Sequence, residues 1–182
     1  MQKNKNQLQA ARKIYETYWD SYIRGDAGAF ATTLDETFEM IGTSETEVCH
    51  TKEDGIRFMK AQIQEVVGKV EMRNRQIDVV PVDRLMLVNE QCDIYVLIDQ
   101  DWNFYSKLRI STLLRETDES WKVLQQHGSL PDMRVQKDET IAIEKIGKEN
   151  LELRDAIKRA TTELEYKNRE LEIEAALDRV RA

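Results

Sequence analysis

The 182-residue chain contains little cysteine, proline or glycine. Its two cysteines, Cys49 and Cys92, have no metal-ligand spacing and form no disulfide framework, so we expect no metal and no cofactor. Reduced cysteines also point to a cytoplasmic location. Two prolines and seven glycines are too few for long disordered linkers. A zinc module and a disulfide-stapled scaffold are therefore excluded as explanations of the fold.

The chain also lacks an excess of positive charge and a long apolar run. Lys and Arg number 27 against 34 Asp and Glu, which gives a formal net charge of -7. This balance argues against a general nucleic-acid binder, which needs a basic surface. No apolar run approaches the roughly 20 residues that span a bilayer, and residues 1–16 contain no signal-peptide core. We expect neither nucleic acid nor membrane as a partner.

The composition changes near residues 129–132. Twelve of the thirteen aromatic residues precede this point, and Tyr166 alone follows it. Residues 137–182 carry 12 acidic and 10 basic side chains, so they cannot form a core of their own, although Glu, Lys, Arg, Leu and Ala favour a helix. We predict a globular domain at residues 1–132 and a helix at residues 133–182.

The pattern of the globular part predicts an α+β fold. Apolar spacings of three and four predict helices, whereas alternation and β-branched residues predict strands. Helices are predicted at 7–24, 30–34 and 52–68, and strands at 37–41, 77–82, 85–99, 104–115 and 121–129. Helices followed by a run of antiparallel strands indicate a curved sheet with helices packed on one face.

Two motifs carry a resemblance to a known family. The first helix ends in Tyr-Ile-Arg-Gly-Asp at residues 22–26, and residues 121–131 form a closing Trp-x5-His-x-Ser-x-Pro run. Together with the order of elements over residues 7–132, they resemble the NTF2-like superfamily and its SnoaL-like branch. The resemblance implies a cone of curved antiparallel sheet with three N-terminal helices and a pocket at its open end. Some members are enzymes that use Asp and His as acid and base; others are dimerising or ligand-sensing modules.

The last strand supplies the first candidate pocket residues. Alternation places Trp121, Val123, Gln125, His127 and Ser129 on one face, a mixture that suits a semi-polar cavity. The resemblance gives His127 the strand-borne pocket position, where it is the general base if the protein is an enzyme. Alternatively, His127 and Ser129 only satisfy backbone groups where the strand ends.

Two further pairs are candidate ligand-binding residues. Tyr105 and Arg109 share a strand face and could bind an anionic or carbonyl ligand; the alternative is a solvated outer face with a salt bridge. Trp19 and Tyr22 belong to the aromatic face of the first helix, where they either fill the core or line the pocket.

The C-terminal helix has a heptad pattern that predicts a parallel two-stranded coiled coil. The predicted dimerisation residues occupy positions a and d, and they are Ile143, Ile146, Asn150, Leu153, Ile157, Leu164 and Leu171. Asn150 at position a costs stability but fixes the register. After Leu171 the pattern shifts, which is a stutter. The alternative is a single helix that folds back on its own domain. A helix of about 45 residues would be about 68 Å long.

The ending of the chain adds an expectation about function. Residues 171–182 look like the linkers that lead into GAF or histidine-kinase domains of bacterial sensor proteins, so we expect the front part of a longer protein. The leading hypothesis is the N-terminal ligand-sensing and dimerisation module of a bacterial signal-transduction protein, a sensor histidine kinase. As a homodimer it binds an unknown small, partly apolar molecule in the cone and relays the signal through the parallel coiled coil. A second hypothesis is a SnoaL-like cyclase, isomerase or hydrolase with His127 as general base. A third is a dimerisation scaffold with a filled cone.

Overall fold

The computed structural model describes residues 2–118 and 120–181. The chain divides into two compact units, residues 1–131 and residues 132–182. The first unit contains three helices and all six strands, and the second contains one long helix. The two units are described separately below.

The first unit has the predicted α+β order of elements. Its elements are α1 (Gln2–Arg24), α2 (Ala27–Thr33), β1 (Leu34–Ile41), β2 (Val48–Cys49), α3 (Lys52–Val66), β3 (Val70–Val82), β4 (Leu85–Ile98), β5 (Asp101–Glu116) and β6 (Trp121–Ser129). The three helices and the long hairpins are confirmed, and the fold is a cone of curved sheet around N-terminal helices. The short strand β2 lies in a segment that the sequence pattern assigns to a loop.

All six strands form one sheet in the order β2-β1-β6-β5-β4-β3. Every neighbouring pair is antiparallel except β1 and β6, which run parallel. Tight two-residue turns join β3 to β4 and β4 to β5. Asp83, Asp99 and Gln100 in these turns have positive φ angles of 52°, 50° and 72°, as this type of hairpin turn requires. The long β3-β4-β5 ribbon forms one wall of the cone.

A glycine joins α1 to α2. Gly25 has a φ of 75°, and the backbone N–H of Asp26 donates to the carbonyl of Ser21, which is the pattern that ends a helix in a left-handed residue. Asp26 then caps α2 by accepting from the backbone N–H of Ala29 at 2.9 Å. The chain can therefore reverse within two residues, which keeps α2 close to α1.

The helices bury their apolar faces against one side of the sheet in a single core. The predicted aromatic face of α1 is confirmed, because Tyr15, Tyr18 and Trp19 are buried. Gly55 lets α3 approach β1 closely, since a Cβ atom there would lie 2.6 Å from the ring of Phe38. The aromatic face of α1 thus forms a large part of this core.

The second unit contains α4 (Ile143–Arg181), a helix of 39 residues and thus about 58 Å. It begins at Ile143 rather than at the predicted residue 133. Residues 132–142 form turns and irregular backbone instead. The apolar heptad side chains of Ile143, Leu153, Ile157, Leu164 and Leu171 are between 57% and 70% exposed. Asn150 is also exposed, and Ile146 is half-buried. Pairing with a second copy stays a prediction. Among the described helices, none combines the length and apolarity that a membrane crossing needs.

Candidate functional site: a cavity in the cone

A cavity of about 360 Å³ opens inside the cone, bounded by α1, α3, the loop between β1 and β2, and the inner face of the sheet. Its apolar wall comes mainly from Met40, Phe58, Met72, Ile94 and Leu108. Ligand pockets begin at about 300 Å³, so the cone is not filled by its own side chains. The open cavity differs from the filled cone that the dimerisation-scaffold hypothesis expects.

Two tyrosines of α1 supply polar groups to the cavity wall. The hydroxyl of Tyr18 donates to Oε1 of Gln126, and the hydroxyl of Tyr22 donates to Oε1 of Gln62. Burial raises the pKa of Tyr18 far above its ordinary value, with smaller effects from Tyr22 and Cys49. Burial also raises the pKa of Tyr22, and the nearby carboxylates of Glu47 and Glu65 add to that effect. Both phenols therefore stay neutral and act as hydrogen-bond donors.

Two carboxylates, Glu47 and Glu65, also border the cavity. Oε2 of Glu47 accepts from the backbone N–H of Thr43 at 2.6 Å and from its hydroxyl at 3.2 Å, so the β1-β2 loop fixes this side chain. Glu65 is exposed and lies in the last turn of α3. No lysine, arginine or histidine is among the described residues that line the cavity.

Three of the predicted ligand-binding residues border this cavity: Trp19, Tyr22 and Tyr105. Trp19 is buried, Tyr22 is half-buried, and Tyr105 is 62% exposed at the rim. Tyr105 reaches the rim because it is the extra residue of a β-bulge. Ile94 pairs with Ser106 and Tyr95 pairs with Phe104, so Tyr105 has no partner on β4.

The other four predicted residues, Gln125, His127, Ser129 and Arg109, do not line the cavity. His127 and Arg109 are exposed, and Gln125 and Ser129 are half-buried. The predicted face of the last strand is wrong for its second half, because β6 contains a bulge of its own.

The bulge in β6 falls at Leu124. Leu113 of β5 pairs with Gln125 and Leu114 pairs with Val123, which leaves Leu124 unpaired. One extra residue exchanges the two faces of all that follows it. Trp121 and Val123 therefore face the core as predicted, and Gln126 and Gly128 replace His127 and Ser129 on the inner face.

Sequence reasoning missed several polar residues of the cavity, among them Tyr18, Gln126, Gln62 and Glu47. Tyr18 was detectable as a pocket candidate, since it shares the aromatic face of α1 with Trp19 and Tyr22. The other three were not. Gln126 depends on the bulge, Glu47 lies in a polar loop, and Gln62 is one of several polar residues on α3.

The described residues around His127 do not form the site that a general base needs. Its side chain lies outside the cavity, and it has no side-chain hydrogen bond to a carboxylate within the described ranges. A catalytic base needs hydrogen-bond reach of the substrate proton, about 2.6–3.2 Å. Residues 2–118 and 120–181 also hold no group of three His, Cys, Asp or Glu side chains that could bind a metal ion.

Solved structures with the same architecture define the class of fold. An NTF2-like protein with a cystatin-like fold from Novosphingobium aromaticivorans has a TM-score of 0.64 and 12% identity, over 72% of this chain and 86% of that chain. A putative dehydratase of the NTF2-like family from Streptomyces avermitilis has a TM-score of 0.60 and 12% identity, over 70% and 98%. A ketosteroid isomerase-like protein from Erwinia carotovora atroseptica has a TM-score of 0.56 and 15% identity, over 68% and 95%. The first unit is thus an NTF2-like cone.

The family within this class follows from the sequence. The model of the SnoaL-like domain matches residues 11–133, and the chain belongs to this family. No curated protein matches the chain. The match covers the cone and ends before α4.

Proposed function

We propose that the chain is a ligand-sensing and dimerisation module of a signal-transduction protein. The cone binds a small, partly apolar molecule, and the C-terminal helix pairs in parallel with that of a second copy. The cavity is the observation that carries the proposal. It combines about 360 Å³ of space, an apolar wall and a few fixed polar groups, which are the features of small-molecule sites.

The exposed stripe of α4 supports the dimer. Ile157, Leu164 and Leu171 expose more than half of their surface although they repeat at heptad spacing. A helix with such a stripe gains stability by burying it against a like stripe, and β-branched residues at a with Leu at d favour two parallel strands. Binding in the cone biases the register or splay of the helix pair, for which the stutter after Leu171 supplies two similar arrangements. A sensor histidine kinase is the type of protein to which the helix sequence points.

The enzyme hypothesis was based on His127, which does not line the cavity. Two proteins of similar fold are described as a putative dehydratase and as ketosteroid isomerase-like, but their identity to this chain is 12% and 15%. A shared fold does not transfer a function, which resides in the site. Because His127 lies outside the cavity, ligand binding without catalysis agrees better with the described residues.

A cavity-filling variant tests the ligand-binding part. A Cβ atom on Gly128 would be 3.5 Å from the methyl group of Thr43 and 3.8 Å from Leu108, which is ordinary contact. Gly128→Leu therefore extends a side chain into the cavity, and Gly128→Ala is the matched control. We expect neopentylbenzene, an uncharged apolar probe, to bind the native chain and Gly128→Ala, and to lose at least about tenfold affinity for Gly128→Leu. Ligand-observed NMR measures this. Equal affinity for all three chains would contradict the cavity as the binding site.

Sedimentation and cross-linking test the dimer. We expect a dimer by analytical ultracentrifugation at micromolar concentration, and a disulfide between two copies of Leu171→Cys, because equal a positions face each other in a parallel pair. Arg169→Cys, at position f, is the control that should not cross-link. Cys49 and Cys92 are buried and should not interfere. A monomer at high micromolar concentration, or efficient cross-linking at Arg169→Cys alone, would exclude the parallel pair.

A further inference from the structure

The charged side chains that line the cavity all have one sign. Glu47 and Glu65 are acidic, and no basic side chain belongs to the described lining. The pKa of Tyr22 reflects this arrangement. Burial raises this pKa most, and the negative charges of Glu47 and Glu65 raise it further. No positively charged side chain that the structure describes lowers it. The negative potential therefore reaches the interior of the cavity, at the hydroxyl of Tyr22.

Each carboxylate is placed where a cation would stabilise it. Glu47 uses Oε2 for the N–H and hydroxyl of Thr43 and for the N–H of Ser44, while its Oε1 accepts no hydrogen bond among the described residues. Glu65 is the penultimate residue of α3, so the negative end of the helix dipole adds to its charge. No salt bridge of either side chain occurs between described residues.

Aromatic rings complete the lining. Trp19, Tyr22, Phe58 and Tyr105 border the same cavity. Aromatic faces attract cations through their quadrupole, and each such contact contributes about 0.5–2 kcal/mol, depending on desolvation. An anion in the same place would meet both carboxylates.

We infer that the cone selects organic cations: molecules with a protonated or quaternary amine on an apolar body. This inference rests on the proposed function, because it names the class of ligand for the same cavity. The ammonium group lies towards Glu47 and Glu65, and the apolar body lies along the aromatic and aliphatic wall.

Three probes of the same shape test the role of charge. They are benzyltrimethylammonium, its uncharged carbon isostere neopentylbenzene, and the anion benzylsulfonate. Binding is measured by ligand-observed NMR on the full chain. We expect the cation and the neutral probe to bind and the anion to bind at least about tenfold more weakly than the cation, since two nearby carboxylates repel it.

Variants then separate charge from shape. Glu65→Gln and Glu47→Gln each remove one charge, and the glutamine oxygen can still accept from Thr43 in the second case. Each should weaken benzyltrimethylammonium about three- to tenfold and leave neopentylbenzene within about twofold. Glu45→Gln, in the same loop but outside the cavity lining, is the matched control and should leave both affinities unchanged.

The outcomes distinguish this inference from the proposed function. If neopentylbenzene binds and Gly128→Leu blocks it, but neither glutamine variant weakens the cation selectively, the cation inference is wrong and the ligand-binding cavity stands. If Gly128→Leu leaves the binding of all three probes unchanged, or none of them binds at the highest concentration at which it dissolves, both are wrong. If both glutamine variants bind benzyltrimethylammonium more weakly but bind neopentylbenzene as before, the result supports the cation inference and the proposed function.

Discussion

Glu90 has a completely buried carboxylate in the middle of β4. Arg75 on β3 donates from Nε to Oε1 at 2.5 Å and from a terminal nitrogen to Oε2 at 2.9 Å, and the hydroxyl of Tyr15 on α1 also donates to Oε2. Burial and the charge of Glu90 raise the pKa of Tyr15, which therefore stays protonated and donates. Two donors from separate elements thus compensate the cost of removing this charge from water.

Removing one partner of this buried group should be strongly destabilising. We expect Arg75→Met to lower the free energy of unfolding by about 3–5 kcal/mol, because it leaves the Glu90 carboxylate without its counter-charge. The double variant Arg75→Met with Glu90→Leu should recover part of the loss. Arg57→Met, which breaks an exposed pair with Asp54, should cost less than about 1 kcal/mol. Urea denaturation followed by circular dichroism measures all four chains. A loss below 1 kcal/mol in Arg75→Met would show that the pair is not buried as described.

The buried carboxyl group of Asp35 lets us predict how the stability of the fold changes in acid. Its side chain is 3% exposed. Burial opposes ionisation, but hydrogen bonds from Arg115 and Thr37 outweigh it and hold the pKa of Asp35 below its ordinary value. A carboxyl with a lowered pKa in the folded state stabilises the fold above its unfolded pKa, about 3.9. That contribution disappears as the pH falls through the folded pKa.

Arg115→Gln should therefore weaken the pH dependence. We expect its free energy of unfolding to fall less than that of the native chain between pH 6 and about pH 3, because its Asp35 has lost the main group that lowers the pKa. Arg24→Gln, which breaks an exposed pair with Asp20, is the control and should follow the native curve within about 0.5 kcal/mol. Chemical denaturation at a series of pH values checks this. Parallel curves for Arg115→Gln and the native chain would be the contrary result.

At the scale of elements, the two β-bulges decide which side chains meet the cavity. Alternation predicts strands over 104–115 and 121–129, and these strands are present. The same alternation cannot locate an extra residue, since Tyr105 and Leu124 have no neighbouring glycine or proline that would signal a bulge. The existence of β6 was therefore predictable, and the face that carries Gln126 was not.

The bulge at Leu124 predicts different effects of substitution at the neighbouring residues Gln126 and His127. His127→Ala should change the free energy of unfolding by less than about 0.5 kcal/mol and leave neopentylbenzene binding unchanged, because His127 is exposed outside the cavity. Gln126→Leu should cost about 1–3 kcal/mol, since the buried hydroxyl of Tyr18 loses its acceptor. Thermal and urea denaturation with the NMR binding assay measure both variants. If His127→Ala weakens probe binding and Gln126→Leu does not, the assigned faces of β6 are reversed.

For the whole molecule, the change in composition near residue 131 coincides with the boundary between the two compact units. Only one aromatic residue, Tyr166, follows Pro131, and the high density of charged residues in this segment argues against a core of its own. The late start of α4 at Ile143 was not predictable, because residues 133–142 have the same polar composition as the helix. Glu90 was also hidden from sequence reasoning, since a charged residue in a strand looks solvated until Tyr15 and Arg75 approach it from other elements.

A variant at Asn150 tests the proposed dimer. If this residue lies in the seam, Asn150→Leu should raise the melting temperature of the dimer and permit other oligomers, because an apolar a position stabilises the seam and no longer fixes its register. Thr162→Leu adds the same side chain at position f, on the opposite face, and should change neither property. Circular dichroism melts and sedimentation velocity measure both. Identical behaviour of the two variants would place position 150 outside a seam.

The parallel pairing of β1 with β6 joins the strands that come first and last along the chain. During synthesis, β1 is made first and its neighbour β6 begins 80 residues after β1 ends, at Trp121, so the cone cannot close until the nascent chain has passed Ser129. Closure between such distant segments is slow, and β1 and β5 have unpaired edges in the meantime. Fragments that stop before residue 121 leave these edges without a partner and should therefore aggregate.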